Sequence, residues 1–418
     1  MLYANICGNM FGIICGGGTT AMIGLANLLG AGDLEFGIIN GIPQAAALMQ
    51  IPFSILVNRT HHRKKYLLTF GLISRMMWIA FGFIPLVMPQ TPAGLQLWTL
   101  IFLLGISSCC SGAINPCWFP WFSDLAPIGI RARWMSIRDM EVAAFNFGFG
   151  LLVAWMLETL PIENRYIIIF TLGGVIGMVD MVCFAFCEQR FTTPPVKAHF
   201  VNTVKDVFGN RKFMTFTLMW TAWCFTANLA GAYHSRYCMN VMGLSFIQIM
   251  LFVTMAASVG TILMVPRWGR IIGQIGCKNV MFIGCTGAAL CHLFYLFSTP
   301  GNVWPSLLNN LIGAMFWSGS NLAANTMQLS CSPEENKSSY IAVFNCVAAL
   351  VGTALGTVLG GALLDWWERE GWFTVGFDRY QVLTIIGTVL RLTAIFVFVP
   401  RLEDESHVKL SEVLRHHS

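Results

Sequence analysis

Charge is what this chain has least of. Only 20 of its 418 residues are Asp or Glu and 25 are Lys or Arg, 11% together, where soluble domains carry about 25%. Mean hydropathy is +0.65. So little charge excludes a water-soluble globular protein, and the net charge of +5 is too dispersed to serve nucleic acid as a partner. Motifs that carry chemistry are missing as well. Fourteen cysteines include no Cys-x-x-Cys pair and no Cys/His ligand spacing, so neither a disulfide framework nor a metal site is expected, and the thiols read as small core residues. There is no His-Glu-x-x-His run and no Ser/His/Asp arrangement. The glycine run at Cys15–Thr20 lacks the lysine of a nucleotide loop. These absences argue against an enzyme and leave no cofactor to place. The pairs His61-His62 and His416-His417 have no further ligands and read as solvated surface.

What remains is long apolar runs. A hydrocarbon core of about 30 Å needs about 20 residues of helix, and twelve such runs occur: Ile6–Leu29, Glu35–Val57, Tyr66–Met88, Leu97–Phe122, Met135–Leu157, Tyr166–Cys187, Phe213–Ser235, Phe246–Pro266, Val280–Ser298, Val303–Leu329, Tyr340–Leu364 and Tyr380–Val399. We number them spans 1 to 12. Their continuity excludes barrel strands. The expected fold is an all-α integral membrane protein in a lipid bilayer.

Lys and Arg are distributed unevenly between the loops. The loops after even-numbered spans and the tail hold nineteen, and the loops after odd-numbered spans hold four. This asymmetry puts both termini in the cytoplasm of a cell membrane, plasma or inner, with the first helix as a signal anchor. Asn58-Arg59-Thr60 and Asn336-Lys337-Ser338 match the glycosylation pattern but fall on the cytoplasmic side.

The two halves repeat one plan. Asn115, Pro127, Arg131 and Trp134 keep the spacing of Asn321, Pro333, Lys337 and Tyr340, an offset of 206, and Asn164–Gly174 echoes Asp378–Thr388 at an offset of 214. Two echoes imply a duplicated six-helix unit. The chain divides into a first bundle (1–187), a central cytoplasmic loop (188–212), a second bundle (213–401) and a tail (402–418). The stretch from Asp124 to Arg133, Asp-Leu-Ala-Pro-Ile-Gly-Ile-Arg-Ala-Arg, resembles the loop between helices 4 and 5 of the Major Facilitator Superfamily, with Ala132 where glycine is usual. Asn58 to Lys65 resembles that family's basic loop after helix 2, with Asn58 in place of its aspartate. Gly269, Gly276 and Lys278 keep part of the same pattern after span 8. The resemblance implies twelve transmembrane helices in two pseudo-symmetric bundles, and a monomeric transporter working by alternating access. It also implies that Asn58, Arg59, Arg63, Asp124, Arg131, Gly269 and Lys278 lie in gating loops.

In that family spans 1, 4, 7 and 10 line the central cavity. Helical arithmetic aligns Asn9, Gly16, Thr20 and Asn27 in span 1, Ser108, Ser111 and Asn115 in span 4, Thr217, Thr221 and Asn228 in span 7, and Asn310, Trp317, Asn321 and Gln328 in span 10. Such groups facing lipid would be unsatisfied, so each stripe is expected to face protein or water. With Gln44 and Asn146, the uncharged residues Asn9, Thr20, Asn27, Ser111, Asn115, Thr221, Asn228, Trp317 and Asn321 are the candidate substrate contacts. The alternative for each is a hydrogen bond between helices.

The central stretches of spans 1, 2, 4, 5, 7, 8, 10 and 11 contain no Asp, Glu, Lys or Arg. This points to a small neutral polar cargo, sugar-like, with indoles such as Trp118, Trp220, Trp223 and Trp317 available to stack on a ring. Met- and Phe-rich composition keeps efflux of lipophilic compounds as the alternative, and a transporter-derived sensor or membrane enzyme is more remote. The coupling ion is open: a proton or sodium ion, with Asp139, Glu141, Asp180, His234 and His292 as protonatable candidates, or none. Arg75 and Asp180 fall at similar depth and are expected to pair. Arg391 is expected to reach out to the cytoplasmic surface. Gly352, Gly356 and Gly360 are expected to form a flat contact face between the halves.

Overall fold

The computed structural model describes residues 2–60, 62–89, 91–125, 145, 147–186, 207–333, 337–371 and 376–403. Helix dominates them, and six helices are long and apolar enough to cross a membrane. The contacts divide the chain into two units, Met1–Lys197 and Ala198–Ser418.

In the first unit, span 1 is not one helix. It consists of Leu2–Ile14 and Thr20–Leu28. Three successive glycines, Gly16 to Gly18, weaken the helix between them. Thr19 then starts the second piece as its N-cap, with extended backbone (φ −72°, ψ 152°). Its hydroxyl accepts from the Met22 amide at 3.4 Å and lies 2.8 Å from the Ile14 carbonyl oxygen, to which it donates. Span 2 is packed against this break: a Cβ on Gly17 would stand 2.5 Å from the Ile39 carbonyl oxygen, and one on Gly18 would stand 2.8 Å from Asn40 Oδ1. The expected stripe through Asn9, Gly16, Thr20 and Asn27 therefore fails as a single helical face, because the count runs across five non-helical residues. Thr19→Ala removes the cap and is expected to cost about 1 kcal/mol of stability, read as a lower melting temperature in detergent.

Span 2 is also interrupted. Asp33–Ala45 contains Pro43 and gives way to a 3-10 turn, Ala46–Met49, before Gln50–Thr60. Proline lacks the amide hydrogen that an α-helical interior needs. Span 3 is Arg63–Val87, span 4 Ala93–Leu125 and span 6 Ile162–Ala185, with Phe147–Thr159 the described part of span 5. Small residues bring spans 1, 3 and 6 together: a Cβ on Gly82 would be 2.7 Å from the Tyr166 carbonyl oxygen, and one on Gly173 would be 2.9 Å from Ile14 Cγ2.

In the second unit, span 7 is Arg211–Gly231, capped by Asn210, and a short helix His234–Asn240 follows it. Spans 8 and 9 share an almost continuous path. Phe246–Ile249 leads through a π-helical turn, Met250–Met255, into Ala256–Cys291, which turns at Gly276 with φ 82°. The loop expected between spans 8 and 9 shrinks to a corner that glycine permits and other residues resist. A 3-10 turn, His292–Phe297, completes span 9. Span 10 is Trp304–Ser330. Span 11 runs through Lys337–Val347, a π-helical stretch Ala348–Ala354 and Leu355–Glu370, and span 12 is Arg379–Phe398, begun by an Asp378/Gln381 capping box.

The glycines of span 11 face span 7, inside the second unit. A Cβ on Gly352 would lie 2.8 Å from Cys224 Cβ, one on Gly356 2.6 Å from the Phe225 carbonyl oxygen, and one on Gly360 would run into the carbonyl of Leu229. This corrects the expectation of a contact face between the halves. The small residues instead let two helices of one bundle approach backbone to backbone.

Candidate functional site

The polar groups of spans 7 and 10 have different surroundings. Thr217 is fully buried and donates to the Phe213 carbonyl of its own helix at 2.9 Å. Thr221 is buried, and its hydroxyl has no hydrogen-bond partner among the described residues. Asn228 is half-buried and donates through Nδ2 to the Cys224 carbonyl at 2.8 Å, which leaves its amide oxygen to accept. On span 10, Asn310 donates to Tyr295 Oη at 3.1 Å and to the Ser306 carbonyl at 2.8 Å. Gln328 donates to Asn345 Oδ1 on span 11 at 3.3 Å. Both are interhelical fasteners. Between them stand Trp317 and Asn321, one turn apart and half-buried. Asn321 makes no hydrogen bond among the described residues. The Trp317 indole lies on that of Trp223, ring centroids 5.4 Å apart at 33°. Trp223 itself is 1% exposed and Trp220 8%, so of these three indoles Trp317 is the half-buried one.

In the first unit Asn9 and Gln44 are exposed, and Thr20 and Asn27 are half-buried. Thr20 is the first residue of the helix that follows the break. Ser111 is bonded to Ser74 of span 3 at 2.8 Å, and Ser74 also meets Ser107 at 2.9 Å. These hydroxyls fasten spans 3 and 4, the structural alternative for Ser111. The Asn115 side chain and the whole of Asn146 lie outside the described residues, as do the side chains of Asn58, Arg59, Arg63 and Asp124 and all of Arg131, Asp139 and Glu141. Gly269 is exposed with open space at its α-carbon. Lys278 donates to the carbonyls of Pro400 and Leu402, both at 2.7 Å, and so ties the corner between spans 8 and 9 to the end of span 12.

Of the three buried arginines among the described residues, Arg75, Arg236 and Arg391, the first and last lie in spans 3 and 12. Arg75 (9% exposed) and Asp180 (3% exposed) meet at 3.5 Å, Nη2 to Oδ2. The Arg75 guanidinium lies over the Phe11 ring of span 1, 4.2 Å from its centre. Arg391 does not reach the surface. It is 3% exposed and donates to the Ala227 carbonyl at 2.6 Å and to the Thr226 carbonyl at 3.4 Å, with His292 Nε2 at 3.1 Å. The guanidinium borders Gly231, where a Cβ would stand in ordinary contact at 3.5 Å from Arg391 Nη2. The sequence suggested no partner for Arg391 because its acceptors are backbone carbonyls and an imidazole, and backbone carbonyls carry no signature. His292 also packs against His234, ring centroids 4.1 Å apart, and His234 stacks on Tyr295 at 3.8 Å.

Comparison with known proteins follows from this geometry. The family model described as Major Facilitator Superfamily matches residues 5–357 and again 258–417. No curated protein matches the chain in sequence. Among solved structures, the nucleoside transporter NupG superposes with a TM-score of 0.68 at 11% identity, covering 96% of this chain and 98% of that one. A D-xylose-proton symporter gives 0.70 at 14% identity, covering 96% and 98%. A bacterial homolog of the human lysosomal transporter Spinster gives 0.69 at 14% identity, covering 96% and 95%. At these identities the likeness shows the fold alone.

Proposed function

The chain belongs to the Major Facilitator Superfamily and is a membrane transporter; on that premise we propose that it moves a small neutral polar solute, a sugar or nucleoside, by alternating access. The observation that carries this reading is the pair Trp317 and Asn321: a half-buried indole one turn from an amide that no described residue satisfies. Half-buried amides without internal partners are available to a ligand, and an aromatic face suits the apolar side of a sugar or base. The proposed contacts are Asn9, Thr20, Asn27, Gln44, Asn115, Asn146, Thr221, Asn228, Trp317 and Asn321. Ser111 is left out because Ser74 holds it. Two of the structural neighbours are named for a nucleoside and for xylose, which agrees with this class. We place the protein in a cell membrane as a monomer, with both termini cytoplasmic on the strength of the Lys and Arg asymmetry.

The test is thermal stability of the purified protein against neutral sugars, nucleosides, organic anions and lipophilic cations. A ligand that binds only the native state adds about 2.7 kcal/mol at a hundred times its Kd. The expected result is a shift with a neutral sugar or nucleoside that Asn321→Ala abolishes. A shift with lipophilic cations alone overturns the reading in favour of efflux of lipophilic compounds.

A further inference from the structure

Two buried polar pairs, each holding one guanidinium, occupy corresponding places in the duplicated plan. In the first unit a pair joins span 3 to span 6 and rests on span 1: Arg75, Asp180 and Phe11. In the second unit a pair joins span 9 to span 12 and rests on span 7: His292, Arg391 and Trp223, whose ring centre is 5.9 Å from the guanidinium carbon. The offsets are 217 for Arg75 to His292, 211 for Asp180 to Arg391 and 212 for Phe11 to Trp223, close to those of the sequence echoes. In both units the helix under the guanidinium is interrupted shortly afterwards, at 15–19 in span 1 and at 232–233 after span 7. The two differ in where the guanidinium stands, on span 3 in the first unit and on span 12 in the second, and in its partner. A carboxylate is present in the first unit and an imidazole in the second.

The carboxylate is poorly satisfied where it stands. Asp180 Oδ1 and Arg75 Nε are both buried with no hydrogen-bond partner among the described residues, and a single contact at 3.5 Å is a weak return for taking two charges out of water. Arginine stays protonated in proteins, so a change of charge in this pair falls on Asp180. The titratable groups around it are the thiols of Cys7 and Cys15 on span 1 and Cys183 on span 6. Among the described residues no second carboxylate and no imidazole acts on Asp180. Asp180 also borders span 1 directly, since a Cβ on Gly8 would stand 3.2 Å from Oδ2.

From this we propose that Asp180 is the site at which the transporter binds and releases a coupling proton, with Arg75 as its positioning partner. A proton from water on one side adds to Oδ1 and later leaves to water on the other, and no bond forms with the solute. Protonation takes the pair from zero net charge to +1 and weakens the grip on Arg75, whose remaining support is Phe11 on span 1. The change therefore reaches the helix whose second piece begins at Thr20. In the second unit no carboxylate acts on Arg391 among the described residues, and its partners are two backbone carbonyls and an imidazole. The word "coupling" rests on the transport reading, whereas the proton site itself is measured without any solute.

Infrared spectroscopy of the purified protein between about pH 9 and pH 5, the range over which buried carboxyl groups titrate, tests the site. The expected result is a carbonyl band of a protonated carboxylic acid that grows as pH falls and is absent from Asp180→Asn. Asp180→Glu, which keeps the acid, is expected to retain the band at a shifted position, and it serves if the Asn variant does not fold. A band unchanged in both variants, or no band, overturns the proposal. In proteoliposomes, with the sugar or nucleoside identified by thermal shift, Asp180→Asn is expected to lose accumulation driven by a pH gradient at least tenfold and to keep solute exchange without a gradient. Equal loss of both overturns the coupling role. If no solute is transported while the Asp180-dependent band is present, the transport reading fails and the proton site stands.

Discussion

Gly360→Val leaves no folded protein after detergent extraction, and Gly360→Ala lowers stability by about 3 kcal/mol, the upper end of what one overpacked position costs. The reason is what the new side chain meets. A Cβ at Gly360 runs into the carbonyl of Leu229 and lies 2.9 Å from Tyr233 Cε2, with Gly356 and Gly352 as tightly placed beneath it. A backbone carbonyl inside a helix cannot rotate away, so spans 7 and 11 must separate. Separation also pulls at the hydrogen bond from Tyr233 Oη to the Thr357 carbonyl, 2.5 Å. Gly105→Ala is the control. Nothing lies within 4 Å of its Cβ position, so the helix preference for alanine, worth up to about 1 kcal/mol, acts alone and raises the melting temperature. If Gly360→Ala melts within about 2 °C of the parent, less than 1 kcal/mol in a unit of this size, the contact is adaptable and the prediction fails.

Arg391→Ala is expected to cost about 3 to 5 kcal/mol, the range for breaking a buried charged contact and leaving its partners. Three acceptors lose a charged donor, His292 Nε2 among them, and a hole opens against Trp223 and Gly231. Arg391→Met distinguishes the two contributions. It fills the volume and removes the cost of keeping a guanidinium out of water, so it is expected to be more stable than the alanine variant by about 2 kcal/mol, as large-to-small core losses scale. The measurement is chemical or thermal unfolding of the three proteins in one detergent. Equal stability of all three would mean that the guanidinium neither packs nor bonds to any effect.

Composition and periodicity reach the membrane class, the twelve spans and the duplication because those signals are summed over twenty residues or more. The pairing of Arg75 with Asp180 was legible for a similar reason, since depth along a helix is a simple count of residues. Faces were less legible. The stripe in span 1 depends on an unbroken helix, and three glycines with a capping threonine end it at residue 14. The π-helical turns in spans 8 and 11 add a residue to a turn, which rotates everything beyond them out of a 3.6-residue count. The spacing of Ser111 fits a lining position and an interhelical bond equally, and its bond to Ser74 is invisible to spacing because Ser74 lies on another helix, 37 residues away. Arg391 is buried against expectation, since a sequence shows carboxylates and hides carbonyls. Motif spacing can find side-chain partners but cannot find backbone ones.

The corner at Gly276 has a mechanical meaning. Spans 8 and 9 meet with no slack between them, and Lys278 fastens that corner to the carbonyls that close span 12. Neither span can slide lengthwise without carrying the other, and the end of span 12 is pulled along with them. For any movement that transport demands of this unit, these three helices act as one strut, and the freedom to bend lies elsewhere: at the π-helical turns and at the break that follows Gly231.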